Sequence, residues 1–462
     1  MRYKYKTKPY RHQVKALRKI VRKCGGLLAM PMRSGKTKVA IDFLCICHIK
    51  WHTTRILVVC PLSVVGVWKR QIAIHMPDEY KSKVKILIIN YEKTYDRDFI
   101  PGTRSWDPSP RKSLLKWLGS DTGRPLIIVD EAHKIGKPTT LQSKYLWNLK
   151  KETGAIPLTL TGTPFHRKPL MVYGIFRFID DLIFPWAWTK FKNRYAKWGG
   201  YGNVLLLRYR RQRELIRKIS PWTFMMKTLP VVPPQHEEIP FVLHESEKTY
   251  AKMAEEAIVL FSNGATLEAP IALTKVLRLS QICGGRVRDS EGSMRRLGRE
   301  KRQAFASLVG DQFVENDVDK FVVFARFVPE LKDICEVCRD AGYRPLLMYG
   351  KTPGHVRERR LLEFDEAEDK VVFVAQASTG SLGIDLSAAA ITVFYSLPSS
   401  LVDYDQDCAR IRKYKDKRTL TYYYLCAEGT IEEVQLSSLR ANLNLIEVLE
   451  RDPELLNYEA RG

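Results

Sequence analysis

No stretch of the chain approaches the roughly 18–20 consecutive apolar residues that a membrane-crossing helix needs. The basic start, Met1 to Lys8, has no apolar core behind it, so no secretory signal is expected. Cysteine is sparse, scattered and odd in number, at nine residues. That excludes a disulfide scaffold and fits a reducing, intracellular compartment. Cys335 and Cys338 stand in a run with helical apolar spacing, and Cys45 and Cys47 follow another. Both pairs are read as core cysteines rather than zinc ligands. There is no internal repeat and no low-complexity tract. Acidic residues are in deficit, with 51 against 76 lysines and arginines, which leaves a formal charge of +25. Such an excess points to a polyanionic partner, either nucleic acid or an anionic membrane surface. The apolar fraction of 45% can build ordinary cores and excludes disorder over most of the chain. A length of 462 residues suggests a few domains, at roughly 100–200 residues each.

What is present is a series of short β-branched runs. The first half has Leu27–Ala29, Ile56–Val59, Ile86–Ile89, Leu126–Val129 and Pro157–Leu160. The second half has Phe321–Phe324, Leu346–Met348, Val371–Val374, Ile391–Tyr395 and Thr421–Leu425. Helical spacing separates many of them. Continuous apolar strands alternating with helices predict parallel sheets covered on both faces, here in two α/β domains. Between them, from about Phe165 to Leu308, aromatic and basic residues accumulate. Val204–Ile219 reads as a basic helix, and Glu247–Phe261 and Ile271–Ile282 as amphipathic helices. Gly284–Arg302 reads as a basic loop leading into a helix, Leu229–Pro234 as a linker and Pro101–Pro110 as a surface loop.

Leu27-Leu-Ala-Met-Pro-Met-Arg-Ser34-Gly35-Lys36-Thr37 runs from an apolar strand through a turn into a helix. This is the context of a P-loop. Backbone N–H groups at a helix start cradle phosphates, Lys36 reaches the outer phosphates of ATP, and the Thr37 hydroxyl holds Mg2+. The first glycine of that motif is missing, and Met30 stands there. Leu126-Ile-Ile-Val-Asp130-Glu131-Ala-His133 ends an apolar strand in two carboxylates. Burying both without a cation is costly. Asp130 is therefore read as a magnesium holder and Glu131 as the residue that orients and deprotonates the attacking water.

Asp-Glu-Ala-His at 130–133, with Leu160-Thr161-Gly162-Thr163-Pro164, resembles helicase superfamily 2, most closely its Swi/Snf-like branch of DNA translocases. The resemblance extends over nearly the whole chain. Pro9–Gln13 looks like the adenine-reading element, with Gln13 in the contacting role. Cys60–Trp68, which includes Ser63, resembles a DNA-side motif, and Ile89–Glu92 resembles the next. Phe191–Tyr195 and Leu277–Cys283 are similar to family landmarks between the lobes. Lys320–Phe327, with Arg326, resembles motif IV. Gln376–Ala389, with Ser378, Thr379, Gly383 and Asp385, resembles motif V. Gln406-Asp-Cys-Ala-Arg410-Ile-Arg412-Lys413 resembles motif VI, with Lys413 where the family has a second arginine. Lysine cannot make the planar two-pronged contact to phosphate. Gly429–Glu433 is similar to the family's closing segment.

The resemblance implies two tandem RecA-like parallel-sheet lobes with a helical insertion. Expected boundaries are 1–230 and 231–462, with insertion segments at about 165–230 and 245–310. It implies an ATP hydrolase that moves on DNA as a monomer, using ATP and Mg2+. Arg410 is the arginine finger, and Arg412 or Lys413 supplies the second charge. Gly383, Asp385 and Gln406 join Gln13, Ser34 and Gly35 around the nucleotide. Ser63, Thr161, Thr163, Arg326, Ser378 and Thr379 face DNA. The Asp-Glu-Ala-His tetrad alone would also suit RNA helicases of the DEAH-box kind, but the motif III and motif V sequences favour the DNA branch. The chain's compactness resembles phage helicases of the UvsW type, which remodel branched DNA in a bacterial or phage-infected cell. Alternatives are the motor of a restriction or defence complex, an RNA helicase and a nucleic-acid binder with a decayed ATPase. Arg208, Arg210 and Arg211, brought together by helical spacing, are expected to grip phosphates without reading sequence. Trp186, Trp188, Trp198 and Tyr201 either stack on bases or fill a small core.

Overall fold

The structure, a computed structural model, describes residues 3–99, 106–162, 169–199, 205–226, 228–229, 231–262, 269–288, 294–377, 384–398, 400–441, 443, 445, 448–449 and 452–456. The chain divides into two compact units, Met1–Leu229 and Pro230–Gly462. Each is built on a six-stranded sheet in which every neighbouring pair is parallel.

In the first unit the strand order is Thr223–Met225, Gly26–Ala29, Ile156–Thr161, Leu126–Val129, Arg55–Cys60 and Lys85–Asn90. The apolar runs are continuous because both faces are covered. Leu57, Val59, Ile127 and Val129 enter one core layer, and Ile56, Val58, Leu126 and Ile128 enter the other. Alternate side chains of a strand point to opposite faces, so four successive apolar residues serve two cores. The second unit orders its strands Gln235–Phe241, Thr421–Ala427, Ile391–Phe394, Lys320–Ala325, Val371–Gln376 and Arg344–Met348. Phe321 and Val323 face one layer there, and Val322 and Phe324 the other. The expectation of two parallel-sheet lobes is met.

Two strands of the six-stranded sheets escaped the sequence reading, Thr223–Met225 and Gln235–Phe241, and both lie at sheet edges. Val204–Ile219 is not one helix. Leu205–Tyr209 pairs antiparallel with Ala196–Gly199, and the helix begins only at Gln212. Trp106–Pro110 is a strand paired with Tyr95–Phe99 rather than part of a loop. Within Gly284–Arg302, Arg286–Arg288 pairs antiparallel with Met294–Arg296, ahead of the Glu300–Ser307 helix that the reading expected. Both cysteine pairs sit buried on helices, Lys36–Trp51 and Val328–Asp340. Among the described residues no helix is long and apolar enough to cross a membrane.

Candidate functional site

The motif residues of the first unit gather at the carboxyl ends of its strands, where open parallel sheets place their ligands. Gly26–Ala29 leads into the P-loop, Leu126–Val129 into Asp130 and Glu131, and Ile156–Thr161 lies between them. Met30 occupies the place of the missing glycine without strain. Its side chain is buried in the core, it is not among the residues of positive φ, and its N–H donates to the Thr161 carbonyl at 3.2 Å. Only its backbone faces the loop, so glycine's freedom is not needed there. It is needed at Gly35, where φ is +78° and a Cβ would come within 2.2 Å of Gln13 Nε2. Arg33, at φ 63°, shares the left-handed turn that delivers the chain to the helix start.

Lys36 leads the Lys36–Trp51 helix, and its ammonium donates to the carbonyls of Met30 at 3.0 Å and Pro31 at 3.1 Å. Gly162 packs behind it, and a Cβ there would lie 3.0 Å from Met32 and 3.5 Å from Lys36 Nζ. The Thr161–Gly162 turn thus rests directly on the P-loop. Gln13 is buried beneath the loop. Its Oε1 accepts the Tyr10 N–H at 2.8 Å, while Nε2 donates to the carbonyls of Ser34 at 3.3 Å and Gly35 at 3.4 Å. Both ends of this carboxamide are spent on backbone, which makes Gln13 a brace for the loop. Ser34 is also buried and donates to Pro31 O at 2.7 Å. Thr37 lies in the first turn, half-buried.

Asp130 is 8% exposed, and burial pushes its carboxyl up to about 6, with the neighbouring Glu131 charge adding to the rise. Trp68 Nε1–H donates to Asp130 Oδ2 at 2.9 Å, and the Glu131 N–H donates to Oδ1 at 2.9 Å. Both bonds, with the Lys36 charge, hold the rise in check. The buried Tyr91 hydroxyl donates to the Asp130 carbonyl. Glu131 adopts a left-handed φ of 53° and lies 3.3 Å from His133 Nδ1. Left-handed backbone costs a non-glycine residue about 1–2 kcal/mol, so the two-acid corner is held by its surroundings. Trp68 and Tyr91 are the functional residues the sequence reading missed. It placed both inside motifs assigned to DNA, and only proximity in the fold reveals them as supports of the acid pair.

These residues fit a magnesium nucleotide. The loop offers a helix N-terminus with an ammonium beside it. Burial holds the Asp130 carboxyl above its ordinary range, the setting a bound cation would relieve, and the Thr37 hydroxyl provides a second oxygen donor.

The second unit carries the motif VI residues by itself. Leu401–Ala409 is a helix, and Arg410 follows it, 6% exposed. Burial drives the fully buried Asp407 carboxyl well above the ordinary range, and the Arg410 charge opposes the rise. Gln406 is buried, with no hydrogen-bond partner for its Oε1 among the described residues. Arg412 donates to the Tyr422 hydroxyl at 3.1 Å and lies over that ring, whereas Lys413 is exposed. Asp385 is exposed and its Oδ1 accepts the Ser387 N–H at 3.0 Å. Arg326 N–H donates to Ser396 Oγ at 2.6 Å, and Ser396 Oγ donates to buried Glu330 at 2.6 Å. Ser63 is half-buried after the Arg55–Cys60 strand of the first unit. Thr163, Ser378, Thr379 and Gly383 lie outside the described residues.

Arg208, Arg210 and Arg211 are exposed, but the expected helical grouping is wrong. Arg208 is on a strand, and Arg211, at φ 49°, precedes the helix. Trp186 and Trp188 pack against the first unit's core, where rings of Tyr173, Phe184, Phe191 and Tyr195 surround them. This aromatic group is built as core. Tyr201 lies outside the described residues.

The chain has relatives among known proteins. An uncharacterized ATP-dependent helicase of Mycoplasma pneumoniae is 23% identical over 430 residues, covering 89% of this chain and 39% of that protein. A DNA annealing helicase and endonuclease of Mus musculus is 24% identical, over 89% of this chain and 38% of its own length. The chain thus spans about two-fifths of the curated relatives it matches. Among solved structures, the Sulfolobus solfataricus SWI2/SNF2 ATPase core in complex with dsDNA aligns over 98% of this chain and 95% of that one, at 20% identity and a TM-score of 0.40. The family model for the helicase conserved C-terminal domain matches residues 300–415. The model for the SNF2-related domain matches residues 10–285, more than half of the chain, and the chain belongs to that family.

Proposed function

We propose that the chain is an ATP-driven DNA translocase or helicase that acts on forks or branched junctions. The observation that carries the reading is the convergence of Lys36, Asp130 and Glu131 at the carboxyl ends of two strands that flank a common neighbour in one parallel sheet. An ammonium at a helix start beside two carboxylates is an arrangement for phosphoryl transfer.

In this reading Lys36 exchanges the Met30 and Pro31 carbonyls for phosphate oxygens. Thr37 and Asp130 hold magnesium, which when bound would neutralise charge on the phosphates. Trp68 and the Glu131 N–H orient the Asp130 carboxylate. Glu131 orients the attacking water and takes its proton. Gln13 and Gly35 keep the loop in shape. Arg410 stabilises charge on the transferred phosphoryl group, with Arg412 or Lys413 as second cation. Tyr422 already holds Arg412, which leaves exposed Lys413 the freer of the two. Because Arg410 belongs to the second unit, turnover requires both units. Thr161, which accepts the Met30 N–H, is the coupler between the P-loop and the DNA side. Ser63, Thr163, Arg326, Ser378 and Thr379 grip the backbone, and Arg208, Arg210 and Arg211 add exposed charge.

The branched-DNA preference is supported by the annealing helicase among the relatives. The test is ATPase stimulation by single strands, plain duplex, forks, four-way junctions and RNA. Strongest stimulation by forks or junctions is expected. Equal stimulation by plain duplex would reduce the reading to simple translocation, and strongest stimulation by RNA would replace it.

A further inference from the structure

The Arg11–Arg22 helix has two opposed faces. Gln13, Ala16, Leu17 and Ile20 are buried at helical spacing. Lys15, Arg18, Lys19 and Arg22 recur at the same spacing on the other side, and Lys23 follows. Like charges three and four residues apart weaken a helix by about 0.2–0.5 kcal/mol per pair. None of the five makes an ion pair among the described residues. The fold therefore carries an uncompensated repulsion that a polyanion would relieve.

These five cations form one wall of a groove of about 760 Å³ within the first unit. The facing wall comes from the Gln212–Ile219 helix and the edge strand Thr223–Met225, and among the described residues no acidic side chain lines the groove. Its floor is apolar and open, with Ile216 47% and Met225 40% exposed. Lys23 also lies 4.9 Å over the Trp222 ring. Lys23 precedes the strand whose other end carries the P-loop. Met225 is in register with Ala29, so the groove runs along the outer edge of the sheet rather than across the strand ends, and none of its lining residues belongs to the nucleotide site.

We propose that this groove is a second nucleic-acid-binding surface, which seats the phosphate backbone of a DNA arm other than the one the motor tracks. Charge complementarity selects the occupant. From Lys15 to Lys23 the helix rises about 12 Å, at ~1.5 Å per residue. One DNA strand presents a phosphate about every 3.4 Å along the axis, so the row of cations spans about three or four of them. The surface deepens the translocase reading, on which it rests for the identity of the polymer, by giving one chain a hold on two arms of a branched molecule.

The test compares the full chain with the triple variant Lys15→Gln, Arg18→Gln, Arg22→Gln, whose sites are exposed. A charge-preserving variant, Lys15→Arg with Lys19→Arg and Lys23→Arg, serves as control. Binding to a synthetic four-way DNA junction is measured across salt concentrations. The slope of log affinity against log salt should become shallower by about 2–3 in the neutral variant, near 0.9 for each phosphate no longer neutralised, and stay unchanged in the control. ATPase activity at saturating short duplex should stay within about twofold, since a phosphate-positioning surface adds affinity rather than chemistry. An unchanged slope overturns the proposal. So does loss of duplex-stimulated ATPase in the folded neutral variant, which would put these cations on the motor's own track. Loss of polyglutamate binding with junction binding intact also overturns it and assigns the groove to an acidic protein. If the wild-type chain shows no duplex-stimulated ATPase while the slope changes as expected, the translocase reading fails and the surface stands.

Discussion

Replacing Asp130 by Asn should stabilise the nucleotide-free first unit while destroying its catalysis. The folded carboxyl is held up at about 6 against an ordinary 3.8, chiefly by burial. The native state therefore binds more protons than the unfolded chain between those values, and stability falls as pH rises through them. Above pH 7 the ionised group costs the fold roughly 3 kcal/mol, at ~1.36 kcal/mol per unit, a figure that belongs jointly to Asp130 and Glu131. Asparagine removes that cost but offers one oxygen where the carboxylate accepts both the Trp68 and the Glu131 N–H. Losing one of these bonds costs about 1 kcal/mol, which leaves a net gain of about 2 kcal/mol at pH 8. At pH 5 the ionisation cost is about half as large, and the net gain falls below ~1 kcal/mol. Urea unfolding followed by tryptophan emission reads this directly, because all nine tryptophans lie between Trp51 and Trp222, inside the first unit. A gain of this size moves the urea midpoint by about 1 M. The reasoning is refuted if Asp130→Asn lowers the midpoint by the same amount at pH 8 and pH 5.

Other variants probe neighbouring parts of the site. Glu131→Gln should retain nucleotide binding and lose roughly 10²–10⁴-fold in turnover, and near-normal phosphate release would remove Glu131 from its role. Gly35→Ala should destabilise the first unit by about 1–2 kcal/mol and abolish nucleotide binding, because its φ of +78° suits glycine; a fluorescent nucleotide titration that matches wild type would contradict this. Trp68→Phe removes a donor that favours the ionised form of Asp130, so the acid limb of the kcat/KM profile should move up by about one pH unit. An unmoved limb with reduced kcat would mean that Trp68 only packs. Arg410→Ala should cut hydrolysis roughly 10³-fold or more with nucleotide affinity intact, measured by phosphate release beside the same titration.

What could be read from the residues divides along burial. Interior strands such as Leu126–Val129 and Phe321–Phe324 are apolar on both faces, and four such residues in a row announce themselves. Gln235–Phe241 begins Gln-His-Glu-Glu and lies at a sheet edge, where one side meets solvent and the pattern dissolves. The arginines of 208–213 looked helical because charge carries no periodic signal, whereas register against Ala196–Gly199 made Leu205–Tyr209 a strand. At the site, Lys36, Asp130 and Glu131 were legible because their chemistry depends on local sequence. Trp68 and Tyr91 support the acids across 62 and 39 residues of chain, and no local pattern encodes such contacts. Met30 ran the other way. Its departure from the motif raised a doubt, and a backbone contact to Thr161 resolves it.

The most direct measurement is phosphate release by the full chain with ATP and magnesium, with and without duplex DNA, beside Lys36→Ala. DNA should raise the rate at least tenfold, and the Lys36 variant should show no DNA-dependent release. A rate that DNA does not change, or one that survives Lys36→Ala, would contradict a DNA-driven motor built around this loop.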